Sequence, residues 1–173
     1  MNDQGLIFFL PNATWLQPPA WAHAMITQTW QPQALPIEVT IAADKQQSSA
    51  EAPPTIPPGT VAGTVSVSAQ ANDNRSTVAL RVTNFGVHPA TVAVSIKPAK
   101  GASFALEDAA VKCWQLSSAK LTDANTPGQP DKIVPQALGA VSLSPLLVPA
   151  FSFTTCEVAS AAARVSEPRR MAA

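Results

Sequence analysis

Residues 64–96 read TVSVSAQANDNRSTVALRVTNFGVHPATVAVSI, and apolar and polar positions alternate through them with a period of two. Val65, Val67 and Ala69 oppose Ser66, Ser68 and Gln70; Val78, Leu80 and Val82 oppose Ala79, Arg81 and Thr83; Val92, Val94 and Ile96 oppose Ala93 and Ser95. Successive side chains of a strand point to opposite faces, so each run predicts a strand with one face in a core and the other toward water. The turn-formers Asn72-Asp73-Asn74 and Asn84-Phe85-Gly86 fall between the runs, at the spacing of consecutive antiparallel strands.

The same reading extends in both directions. PIEVTIAA, from Pro36, alternates with Ile37, Val39 and Ile41 on one side, and later strands are expected around 103–116, 132–143 and 148–159. In the last of these, Phe151 and Phe153 fall on one face. SSAKLTDANTPGQPDK, residues 117–132, is dense in turn-formers and reads as an irregular excursion. Residues 44–59 form a polar, Pro-rich loop, and 161–173 carry no apolar period and read as a disordered tail. About seven short strands at this spacing predict a mainly β fold, an antiparallel, jelly-roll-like β-sandwich over residues 35–160.

The chain begins differently. GLIFFLPNATWLQPPAWAHAMITQTW, residues 5–30, is apolar and aromatic and holds Trp15, Trp21 and Trp30 of the 4 tryptophans. The continuous apolar run 6–10, closed by Pro11-Asn12, fits a strand buried on both faces, as in a parallel sheet. Pro18 and Pro19 open a helix expected over 19–30, with Trp21, Met25 and Thr29 at i, i+4 and Ala22, Ile26 and Trp30 beside them. A buried parallel strand followed by a helix resembles the last unit of a (β/α)8 barrel. Residues 1–34 are therefore read as a strand-helix remnant of a catalytic barrel, preceding the sandwich.

Composition narrows the function. Net charge is zero with 13% charged residues, which gives no electrostatic footprint for nucleic acid or an anionic membrane. No apolar run approaches a membrane span, and the run 6–10 lacks the basic flank and cleavage site of a signal peptide. Cys113 and Cys156 either bridge two strands or stay as separate buried thiols. Asn12-Ala13-Thr14 and Asn74-Arg75-Ser76 are N-glycosylation acceptors by sequence.

Little else points to chemistry. His23 and His88, the 2 histidines, have no ligand spacing to Cys, Asp or Glu, so no metal site is expected. The 7 glycines are not clustered into a phosphate loop, and no cofactor is expected. Glu38, Glu51, Glu157 and Glu167 read as solvated, and Glu107-Asp108 would point to opposite faces of a strand. The remaining candidates lie on the loop after the first strand: Asn12, Trp15 and Gln17 are read as substrate-proximal, because barrel enzymes build their sites on such loops. For Trp15 the competing reading is burial against the sandwich.

Two segments together resemble the C-terminal part of the family 51 glycoside hydrolases, the α-L-arabinofuranosidases. One is IFFLPNATWLQPPAWAHAMITQTW; the other is VTNFGVHPATVAVSI with CWQLSSAKLTDANTPGQPDKIVP and VPAFSFTTCEV. In the second, Asn125, Pro130, Val134 and Pro135 occupy the places of a stretch that precedes the family's last strands. The resemblance implies a retaining glycosidase acting on terminal α-L-arabinofuranosyl groups of arabinan, arabinoxylan or related plant-type glycans, extracellular in its full-length form. It also implies two catalytic glutamates, one preceded by Asn, upstream of the matched region. This chain has no Asn-Glu dipeptide: its glutamates follow Ile37, Ala50, Leu106, Cys156 and Ser166. The family's sugar-facing glutamine has no counterpart here, Gln17 lying later in the loop and Asn12 being only its chemical neighbour.

The expectation is therefore a C-terminal fragment of an α-L-arabinofuranosidase, without catalytic residues of its own and inactive alone. The alternative is a free-standing β-sandwich that binds carbohydrate or protein, for which Phe85, Phe104, Trp114, Phe151 and Phe153 are the aromatic candidates beyond residue 36. An immunoglobulin-like domain is a weaker third reading, since Trp114 adjoins Cys113 instead of lying midway between the cysteines.

Overall fold

The computed structural model describes residues 5–37, 61–62, 64–96, 109–120 and 122–160. Expectations placed on the run after Ile37, the loop 44–59, the start of the 103–116 strand, Phe104, Glu107-Asp108 and the tail lie outside the described residues.

The first two alternating runs form the central ladder, whereas the run expected over 92–96 is a strand only as far as Val92, in the small second sheet. β5 (Val65–Ala71) and β6 (Thr77–Asn84) are an antiparallel hairpin over the Asn72–Asn74 turn, and β11 (Ser152–Ala159) pairs β6 along its whole length. β8 (Ala110–Ser117) pairs the other edge of β11, and β9 (Gln136–Leu138) closes that side. With β3 (Gln33–Ala34) beyond β5, the order is β3-β5-β6-β11-β8-β9, and β4 (Val61–Ala62) also pairs β5. β7 (Ala90–Val92) and β10 (Leu146–Val148) make a short second sheet. The antiparallel, mainly β architecture is as the alternation predicts.

One face of the large sheet carries Val67, Val78, Leu80, Val82, Cys113, Cys156 and Val158, buried with Leu143, Leu146 and Val148 from the second-sheet side. Burying these aliphatic side chains is the main favourable term in the fold. Cys113 and Cys156 lie directly opposite on β8 and β11 and are bonded, with a Cα–Cα separation of 4.1 Å. At the sandwich end, the buried Asn84 donates from Nδ2 to the carbonyls of His88, Val148 and Pro149 and accepts from the Gly86 N–H. Gly86 is obligatory there, since a Cβ would fall 2.5 Å from Thr64 Oγ1.

Three further expectations change. The run 6–10 is not a buried parallel strand: β1 (Ile7–Leu10) turns back at Pro11-Asn12 and pairs antiparallel with β2 (Ala13–Leu16), leaving Phe9 78% exposed. A two-residue turn between apolar runs is a hairpin signal, and it outweighs the uniform hydrophobicity of the run. The 132–143 segment contributes only β9 to a ladder, although Ile133 and Leu143 are both buried. The 148–159 segment divides into β10 and β11, with Phe151 at the break at a φ of 47°. Phe151 therefore does not share a face with Phe153, which packs against the helix.

That helix, α1 (Pro18–Gln28), lies close to the span its prolines predict. It covers the second face of the large sheet: Met25, Trp21 and Ala22 pack with Trp114, Leu116, Ile133 and Phe153. The face that alternation assigns to water is, over β8 and β11, a docking surface.

Candidate functional site

The candidate residues lie on β1, β2 and the step into α1. Phe8 and Trp15 are directly opposite across the hairpin, and their rings stack with centroids 5.7 Å apart and planes 20° from parallel. Such a pair stabilises a hairpin by about 0.5–1.5 kcal/mol beyond the area it buries. Trp15 is half-buried, and its buried Nε1 meets no acceptor among the described residues. Asn12 is exposed at the turn, at the opposite end of β2 from Gln17.

Gln17, at the N-cap of α1, faces the protein. Its Nε2 donates to the Asn125 carbonyl at 2.8 Å, and its Oε1 accepts from the Asn125 N–H at 3.2 Å. The Asn125 side chain, 2% exposed, completes the joint: Nδ2 donates to the carbonyls of Leu16 (2.7 Å) and Ile133 (2.9 Å), and Oδ1 accepts from the Ile133 N–H (2.8 Å). The excursion 117–132 thus grips the end of the hairpin. Nearby, the Lys132 ammonium bonds Asp123 at 2.8 Å and holds its carboxyl below the usual carboxylate range. The geometry brings Gln17 to Asn125 and not to Asn12.

Arg81 is a structural anchor that alternation misplaces. It falls on the polar side of β6, yet it is 8% exposed beneath the C-terminal end of α1. Its guanidinium donates to the carbonyls of Thr29 (3.1 Å) and Ile26 (3.4 Å) and to Gln70 Oε1 (2.8 Å). A cation at the negative end of a helix is favourable, and here it also satisfies carbonyls that have no partner within the helix. Burial pulls the guanidinium below its ordinary pKa, and arginine still remains charged in water-accessible pH ranges. Thr29 adds a buried hydroxyl contact with Thr155 Oγ1 at 2.9 Å. A lone arginine in a strand of Ala, Val and Thr was the signal available in the sequence.

Chemically the arrangement can dock one element on another through amide and guanidinium hydrogen bonds. Among the described residues no group of His, Cys, Asp and Glu could hold a metal ion, and no helix is long and apolar enough to cross a membrane. His23 is exposed on α1, and Glu157 sits on β11 opposite Lys112. Of the aromatics a binding platform would need, Trp114 and Phe153 lie under the helix, and Phe85 stands alone at 49% exposure. Exposed apolar surface concentrates instead on the hairpin, at Leu6, Ile7, Phe9 and Leu10.

No family model matches this sequence, and no curated protein matches it. Solved structures do match. The family 51 arabinofuranosidase from Xanthomonas axonopodis pv. citri shares the fold at a TM-score of 0.62 with 21% identity, over 90% of this chain and 29% of that one. A family 51 α-L-arabinofuranosidase from Bifidobacterium longum gives 0.63 at 17% identity, over 88% of this chain and 27% of that one. The thermostable enzyme from Thermotoga petrophila RKU-1 gives 0.58 at 15% identity, over 88% and 31%. The fold of this chain is that of part of these enzymes, as the resemblance implies, and the chain spans less than a third of their length.

Proposed function

We propose that this chain is the C-terminal sandwich region of an α-L-arabinofuranosidase, and that it supports a catalytic barrel without carrying the chemistry itself. The observation that favours this is the match of about nine-tenths of the chain to less than a third of enzymes of that one activity. Retaining hydrolysis needs two carboxyl groups about 5–5.5 Å apart across a glycosidic bond. The sequence has no Asn-Glu dipeptide to supply the acid-base glutamate that the resemblance implies. Terminal α-L-arabinofuranosyl groups of arabinan- or arabinoxylan-type glycans are the proposed substrate of the complete enzyme. The Cys113–Cys156 bond supports an oxidising, extracellular setting for it.

Within this reading the exposed hairpin faces the catalytic barrel. On this reading Asn12, exposed at the turn, and Trp15, stacked on Phe8, lie near the sugar of the complete enzyme. Gln17 positions the hairpin through Asn125. The purified chain is expected to leave an aryl α-L-arabinofuranoside intact, and turnover above a blank would overturn the proposal. Genomic sequence immediately upstream is expected to encode, in frame, a barrel with an Asn-Glu pair; an unrelated reading frame would count equally against it.

A further inference from the structure

The triplet Asn74-Arg75-Ser76 has no part in the function proposed above, and the structure treats it differently from Asn12-Ala13-Thr14. Asn74-Arg75-Ser76 lies in the β5–β6 turn, where Asn74 and Arg75 are exposed and Arg75 adopts a φ of 54°. The turn is held from below by Asn72: its N–H donates to the Thr77 carbonyl, its Nδ2 to Ser76 Oγ, and its Oδ1 accepts from the Thr77 N–H. Above it, Ser76 Oγ donates to Asn74 Oδ1 at 2.7 Å, and the Ser76 N–H donates to the same oxygen at 3.1 Å. Both donors engage the carboxamide oxygen. Asn74 Nδ2 donates to nothing among the described residues and stands at an exposed hairpin tip.

We infer that Asn74 is a site of N-linked glycosylation, taking an oligosaccharide from a lipid-diphosphate carrier. The transferring enzyme brings Nδ2 to the anomeric carbon of the first sugar. The new bond is N–C; the bond broken joins that carbon to the diphosphate oxygen, which leaves with the electron pair, and the amide nitrogen gives up one proton. A hydroxyl two residues on is what such acceptors require, and here it already touches the carboxamide.

The Cys113–Cys156 bond is independent support, because disulfides form and persist in the compartment where this transfer takes place. At the tip of the hairpin a glycan stands clear of both faces of the sheet, so neither the core nor α1 has to move. Asn12 is the contrast. It is also exposed, but no bond joins it to Thr14 among the described residues, and it sits beside the apolar side chains of Phe9 and Leu10.

The test sends the full chain through the secretory route of a yeast, pools protein from microsomes and medium, and maps its peptides before and after a peptide N-glycosidase. The expected result is a glycan on Asn74, seen as conversion of Asn74 to Asp on release. Asn74→Asp preserves the oxygen that Ser76 contacts and should lose the sugar with the fold intact. Ser76→Ala should lose it, and Ser76→Thr should keep it. An unmodified Asn74 in the wild-type map overturns the inference, as does a glycosidase-sensitive mass shift left undiminished in Asn74→Asp.

Discussion

Asn125 joins three parts of the chain, since its side chain meets Leu16 and Ile133 while its backbone pairs with Gln17. Replacing it with Ala strands a buried N–H and two buried carbonyls, so Asn125→Ala should lower stability by about 2–4 kcal/mol in urea unfolding. Asn125→Asp keeps the acceptor but loses both donations, and should recover little. Arg81 calls for a different comparison. Arg81→Ala uncaps Thr29 and Ile26 and should cost about 2–3 kcal/mol, and Arg81→Lys should restore only part, because an ammonium lacks the planar fork that reaches Gln70 and the helix end together. The Asp123–Lys132 pair is solvent-facing and should matter least. With the Asp123 pKa lowered on folding, its contribution is present above the ordinary carboxylate pKa and fades as pH falls through the folded value. Comparing wild type with Asp123→Asn across acid pH should show that fading as a small convergence. Neither Asn125 nor Arg81 could be assigned its partners from the sequence, because apart from Gln70 the groups they satisfy are backbone carbonyls and N–H groups, which carry no residue signature.

At the scale of strands and helices, legibility followed the period of the pattern. β5 and β6 were plain in the alternation, because each strand has one face in the core and a tight turn joins them. β9 and β10, at three residues each, are too short for a period to show, and β7 shares only Val92 with the alternation read over 92–96. An unbroken apolar run looks the same in a buried parallel strand and in an exposed hairpin, so residues 6–10 carry no signal for the direction or burial of β1. The helix was legible from Pro18 and Pro19 and its apolar stripe, but its docking face was not: Arg81 and Thr155 look solvent-bound in a strand pattern until something covers them. The bond between β8 and β11 has a measurable consequence. It closes a loop with a sequence separation of 43, and by loop entropy should contribute about 4 kcal/mol. A Cys113→Ala, Cys156→Ala double variant should unfold at markedly lower urea than the oxidised protein, and reductant should shift wild type alone.

The whole molecule places a neutral chain next to a cluster of exposed Leu6, Ile7, Phe9 and Leu10. With no net charge to keep copies apart, that surface should drive association. Ile7→Thr with Phe9→Thr should raise the solubility of the isolated chain while leaving its unfolding midpoint nearly unchanged, as light scattering and urea titration would show. Deleting residues 1–34 should do the reverse, because it also strips α1 from Trp114, Leu116 and Phe153. Lastly, the strand order sets a timetable for synthesis. β6 and β8 are not neighbours in the sheet; β11, which comes after both in the chain, lies between them. While the chain is being made, β5 and β6 can pair as soon as they emerge, but β8 has to wait for residues 152–159. Throughout that interval Cys113 is an unpaired thiol on a strand without its partner, so the nascent chain is most open to mixed disulfides just before its last strand inserts.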